Sequence, residues 1–193
     1  MNGSKRTKTK EKVLIVVPVV VLLAIAGVIY WFLIYRKYGQ CIGLLPEELA
    51  ITDLGWCALA LTCALLVTFA FLKFVPMKLM YDPNVRILAD SFSTKFLAIY
   101  FVPNAFYEEL IFRGALQTVI GLIPATLIFT LVHVSYYKRP VMLLETFCQG
   151  LILGLLFNVT GSVWITTIAH AAFNTLQMLA IKAGVIEYRV ELE

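Results

Sequence analysis

Charge is scarce in this chain. Only 15% of its 193 residues are Asp, Glu, Lys or Arg, while 61% are apolar or aromatic, and a water-soluble domain could not cover its surface with so little polarity. The four cysteines, Cys41, Cys57, Cys63 and Cys148, have no CxxC spacing, which leaves them no metal-binding or redox motif. No internal repeat is present, inverted or direct, so the usual sign of a secondary transporter is missing. There are only two histidines and no HExxH pair, which excludes the common helical zinc-protease motif. Nothing points to a nucleic-acid partner.

What is there instead is apolar sequence in long runs. The opening "MNGSKRTKTKEK" carries five basic residues and one acid, and the next 23 residues, Val13 to Tyr35, carry no charge. This reads as a basic cytoplasmic tail over 1–12 and a first transmembrane helix; a cleaved signal peptide is the rival reading, countered by an apolar run that continues to Tyr35. A second span is expected from Gly55 to Val75. The polar stretch "PMKLMYDPNVRILADSFSTK" follows as a loop with a short surface helix. Four more apolar segments, Phe96 to Ile120, Pro124 to Tyr137, Val141 to Val159 and Val163 to Ile181, complete an expected all-α bundle of about six spans in one integral domain. Residues 13–90 form its first two spans and loops, and 91–182 its core. Pro103 is expected to kink its helix or mark the true start. With six spans, all loop and tail Lys and Arg except Arg36 and Lys37 fall on one side, so both termini are read as cytoplasmic. The short loops and basic face suit a multi-pass protein of a bacterial or archaeal plasma membrane.

A charged side chain at mid-bilayer costs about 2.5–3.5 kcal/mol on insertion scales, so it calls for a functional explanation. Glu108, Glu109, Arg113, His133 and His170 are such residues. Glu145 is read as an interfacial salt-bridge partner of the nearby Lys138 and Arg139. Glu47 and Glu48 repeat the Glu-Glu pair in a polar loop, where no explanation is needed. On a helix Glu109 and Arg113, four apart, can pair along one face. Glu108 then points elsewhere and has no partner on its own helix, free to take and give a proton.

Each histidine has a companion one turn away: Phe129 beneath His133, and Asn174 beside His170. One histidine on an apolar helix is usually an interhelical hydrogen-bonding group. Two histidines, an Asn and a Glu pair on three segments of one small bundle suggest more. A Glu and a His converging on one water can deprotonate it, and a His and an Asn can stabilise the oxyanion formed when that water attacks a carbonyl. These are the parts of a peptide hydrolase. Two other readings stay open: a non-proteolytic membrane scaffold, such as an immunity or maturation partner, and a proton-coupled channel or transporter.

"EELIFRG", "FTLVH" and "HAAFN" resemble, in order, the EExxxR, FxxxH and HxxxN motifs of the CPBP intramembrane proteases, the CAAX-processing and bacteriocin-processing family also called Abi. The segment between the last two motifs is similar to the family in Gly150, Gly154 and its "TGS" turn. The resemblance covers Asn104 to Gln177. It implies an all-helical membrane endopeptidase, similar to type II CAAX prenyl endopeptidases, acting on a hydrophobic peptide or prenylated protein within the lipid bilayer. By motif, Glu108 is the implied general base with His133, and His170 and Asn174 stabilise the oxyanion. Arg113 and Glu109 pair in support, and Phe129 packs under the site. Members of the family have been described as metalloproteases and as metal-free glutamate-type proteases. No cofactor is expected here; zinc on Glu108, His133 and His170 is the alternative. Family members commonly have more than six spans, and nothing in this sequence reads as a prenyl-binding feature.

Overall fold

The computed structural model describes residues 2–46 and 50–187. Glu47 and Glu48, expected in a polar loop, and Arg189, expected on the cytoplasmic side, lie outside them. Every regular element among the described residues is helical, as lipid requires of any chain that does not close into a barrel: a helix satisfies its backbone N–H and C=O groups within itself.

Helix α1 runs over Asn2–Tyr30 and continues through a π-helical turn, Trp31–Tyr35, to Arg36–Tyr38. Helix α2 is Ile51–Phe74. Two short helices, α3 (Met77–Met80) and α4 (Pro83–Ser91), occupy the expected polar loop. Asp82 starts α4 by accepting from Asn84 N at 2.9 Å, with Pro83 at the first helical position, where no N–H is needed. Helix α5 (Thr94–Glu109) opens on Ser93 and passes into a π-helix over Leu110–Gln117 before ending with Thr118–Ile120. Then come α6 (Leu122–Leu131), α7 (Pro140–Thr160) and α8 (Val163–Lys182).

Among the described residues, three helices are long and apolar enough to cross a membrane: Val16–Tyr38, Ile51–Phe74 and Pro140–Thr160. Their outward surfaces, and that of α8, carry exposed Val28, Leu66, Phe69 and Ile168, as a lipid-facing surface would. The protein is a membrane protein with an all-helical fold. Helices α5 and α8 match the expected third and sixth segments in position, but Glu108, Glu109 and Arg113 in the one and Thr, His, Asn and Gln in the other make them more polar. The expected fourth span, Pro124 to Tyr137, is corrected. Helix α6 has ten residues and so a length of about 15 Å, half of a roughly 30 Å hydrocarbon core. It stops where His133 leaves helical geometry at φ −79°, ψ 60°. Pro103 lies inside α5 and does not mark its start.

The packing centres on two pairings, α5 against α8, and α7 against both α2 and α6. Without a hydrophobic force between helices in lipid, close approach of backbones is what holds such pairs. Gly154 of α7 allows it: a Cβ there would stand 2.3 Å from Leu122 Cδ1 and 2.9 Å from Gln117 Oε1. Gln117 Nε2 reaches across to donate to Gly154 O at 2.8 Å and Asn158 Oδ1 at 2.7 Å. Gly161 ends α7 in left-handed geometry at φ 60°, and Ser162 caps α8 by accepting from Ile165 N at 3.3 Å. At its other end α8 is tied to the α4–α5 junction, where Lys182 Nζ donates to Phe92 O at 2.9 Å and to Ala89 O.

Candidate active site

The "EELIFRG" segment sits where α5 turns from α- to π-helical, and π-helical insertions recur at functional sites. Glu109 and Arg113 are fully buried and pair as the four-residue spacing predicts, with Arg113 Nε 3.2 Å from Glu109 Oε2. The other carboxylate oxygen has a partner that local spacing could not give. His170 Nδ1 on α8 lies 2.8 Å from Glu109 Oε1. A carboxylate accepts, so the proton of that bond is on Nδ1, and Nε2 is the nitrogen left for chemistry. Arg113 also stands over the Phe129 ring, its Cζ 5.0 Å from the centroid, a cation–π contact.

Phe129 carries the arrangement on to the second histidine. Its ring meets that of His133 edge-on, centroids 4.9 Å apart, and its carbonyl oxygen lies 2.7 Å from His133 Nδ1. A carbonyl can only accept, so this nitrogen donates and the Nε2 lone pair faces outward from the bond. The early end of α6 makes this contact: His133 follows the last helical turn, and its ring folds back on Phe129 O. Arg113 thus touches one histidine through Glu109 and the other through Phe129.

His133, His170, Asn174 and Phe129 line one cavity of about 150 Å³ between α2, α7, α8 and the end of α6. Glu108 is not among its lining residues. The expectation that Glu108 has no partner on its own helix is corrected: Asn104 Nδ2, one turn earlier, donates to Glu108 Oε1 at 3.1 Å, and the Tyr107 hydroxyl bonds to it as well. Glu108 is within electrostatic reach of His170. When Glu108 is ionised and His170 protonated, two carboxylates face a guanidinium and an imidazolium, and the cluster is neutral overall. That is the form in which buried charges are tolerable in low dielectric.

Glu145 is also corrected. It forms no ion pair with Lys138 or Arg139 among the described residues; it lines the same cavity and accepts from Thr68 Oγ1 at 2.7 Å. The helical phase of α7 turns it inward, which its basic neighbours in sequence do not reveal. Among the described residues no three His, Cys, Asp or Glu side chains are grouped closely enough to hold a metal ion.

Residues 90–176 match the family described as type II CAAX prenyl endopeptidase Rce1-like. A curated relative is the uncharacterized protein YpbD of Bacillus subtilis (strain 168), 31% identical over 107 residues, which are 55% of this chain and 57% of the relative. The chain thus aligns with little more than half the length of that relative. No solved structure matches. The matched segment contains Glu108, Glu109, Arg113, Phe129, His133, His170 and Asn174 together, and over that segment, a little under half of its length, the chain is similar to the Rce1-like, type II CAAX prenyl endopeptidase family.

Proposed function

We propose that this protein is an intramembrane endopeptidase that hydrolyses a peptide bond in a hydrophobic or prenylated, CAAX-type peptide. The observation that carries this reading is the convergence of His133, His170 and Asn174 on one cavity, with Nδ1 of each histidine held by a fixed acceptor. A water in that cavity gives a proton to His133 Nε2, with Glu108 as the acidic partner, while its oxygen attacks the scissile carbonyl. His170 donates to the resulting oxyanion from Nε2, with Glu109 as counter-charge to the imidazolium, and Asn174 donates its amide. Collapse of the tetrahedral intermediate breaks the C–N bond. The proton taken from water goes to the leaving amine, giving one new carboxylate and one new amine. The enzyme is read as a multi-pass protein of a bacterial or archaeal plasma membrane, its basic loops cytoplasmic.

A second reading, a membrane scaffold or maturation partner of the same fold, draws on one observation: Glu108 is held by Asn104 and stands outside the cavity lining. The test is mass spectrometry of a farnesylated CAAX-ended peptide incubated with the purified protein in detergent, beside Glu108→Ala. Release of the last three residues by the wild type alone supports the hydrolase. Peptide binding without cleavage, unchanged in Glu108→Ala, supports the scaffold.

A further inference from the structure

The cavity that holds the two histidines continues as a groove with a second polar cluster that the hydrolytic steps do not use. One wall is a face of α2 formed by Ala60, Ala64 and Thr68, four residues apart and small. Opposite Thr68, α7 presents Glu145 and, one turn on, Gln149. The hydrogen bonds are ordered. Gln149 Nε2 donates to Ala64 O at 3.0 Å and to Thr68 Oγ1 at 3.1 Å, and the Thr68 hydroxyl donates to Glu145 Oε1 at 2.7 Å. Both amide hydrogens of Gln149 and the hydroxyl hydrogen of Thr68 are thereby committed. What remains toward the cavity is acceptor only: Glu145 Oε2 and Gln149 Oε1 have no protein partner among the described residues. Among the described residues no Lys, Arg or His within ion-pair distance balances Glu145 either, in contrast to Glu109, which has both Arg113 and His170.

A carboxylate inside a membrane protein, with one neutral hydrogen bond and a vacant oxygen turned into a groove, is costly unless a donor completes it. We propose that Glu145 is a specificity-determining residue and that the donor is a basic side chain, Lys or Arg, of the peptide lying in the groove. The spacing fits. Ala60 and Thr68 line the cavity together with His133, His170 and Glu145, and from Ala60 to Thr68 along α2 is about 12 Å at 1.5 Å per residue. That length is covered by three to four residues of extended peptide at roughly 3.3 Å each. The reacting carbonyl at His133 and His170 and the basic side chain at Glu145 are therefore three to four residues apart in the substrate. The same wall disfavours a carboxylate. An acidic side chain at that position would face acceptors alone.

This inference rests on the hydrolase reading only in taking the groove as a peptide site, and its test separates the two. Fluorescent nine-residue apolar peptides carrying a single Lys, norleucine or Glu, scanned through the central positions, are titrated against the full chain in detergent, and their cleavage is followed in parallel. The wild type should bind the best-placed Lys peptide at least tenfold more tightly than the matching Glu peptide. Glu145→Gln, which keeps size and the Thr68 bond, should level that ratio, and Glu145→Lys should reverse it. Binding discrimination that depends on Glu145 without any cleavage would sink the hydrolase reading and leave this one standing. Cleavage with equal affinity for Lys and Glu peptides would do the opposite. If the Glu145 variants fail to fold, the wild-type ratio and its decline with salt still decide: a ratio near one overturns the proposal.

Discussion

Glu109 Oε1 and His170 Nδ1, 61 residues apart in sequence, stand 2.8 Å from each other at the buried junction of α5 and α8. The contact makes Glu109 an orienting group for the histidine as well as the counter-ion of Arg113. Its carboxylate takes one donor on each oxygen, and both donors are positive when His170 is protonated. A single side chain therefore joins the charge that stabilises the helix to the ring that would meet the reacting carbonyl.

Glu109→Gln separates those two tasks. The amide still has an oxygen for one donor but removes the negative charge, leaving the Arg113 guanidinium buried without a counter-ion. Removing one partner of a buried pair costs about 3–5 kcal/mol. The expected result is a clear fall in thermal midpoint in detergent, together with loss of cleavage. A variant with wild-type stability and rate would show that the buried pair carries neither function.

Arg113→Lys tests the geometry of the network at constant charge. A lysine ammonium can sit near Glu109 but offers no planar face to the Phe129 ring, where the guanidinium carbon now lies 5.0 Å from the centroid. We expect a loss of about 1–2 kcal/mol of stability, the size of a desolvated cation–π contact, and lower activity as Phe129 and His133 lose their backing. Chemical-shift or crosslinking evidence that His133 is undisturbed would count against the coupling.

Gly154→Ala addresses the packing that sets the site's depth. The added Cβ would lie 2.3 Å from Leu122 Cδ1, the end of a flexible side chain, and 2.9 Å from Gln117 Oε1. Overpacking of this kind typically costs about 1–3 kcal/mol, and here it also pushes α6, whose end leads into His133, away from α7. A lowered thermal midpoint with reduced activity is expected. Gly55, exposed on α2 with nothing within 4 Å of an added Cβ, should accept the same change with neither effect.

Much of this was legible in the sequence because it is local. The Glu109–Arg113 pair follows from a spacing of four on a helix, and Phe129 and Asn174 lie one turn from their histidines for the same reason. The three motifs also carry the resemblance to the family whose model matches residues 90–176. What escaped is what depends on how helices face one another. The Glu109–His170 bond joins two helices. The inward turn of Glu145 depends on which side of α7 meets α2, and its neighbours Lys138 and Arg139 pointed to a different partner. The end of α6 at Leu131 was hidden by an apolar composition that runs on to Tyr137 without a glycine or proline between. The Asn104–Glu108 bond was within reach of the same four-residue rule that paired Glu109 with Arg113, and would have been found by applying it backward from Glu108.

In the proposed hydrolase, one cavity brings together the base His133 and the oxyanion donors His170 and Asn174. The most direct measurement is the rate at which purified protein releases the last three residues of a farnesylated CAAX-ended peptide, for the wild type and for His133→Ala, His170→Ala and Asn174→Ala singly, with thermal midpoints taken on the same samples. Each removal should lower the rate on the order of 100-fold or more, the usual worth of a general base or an oxyanion donor, with His133→Ala and Asn174→Ala still folded. A folded His133→Ala protein that cleaves at the wild-type rate would contradict the account.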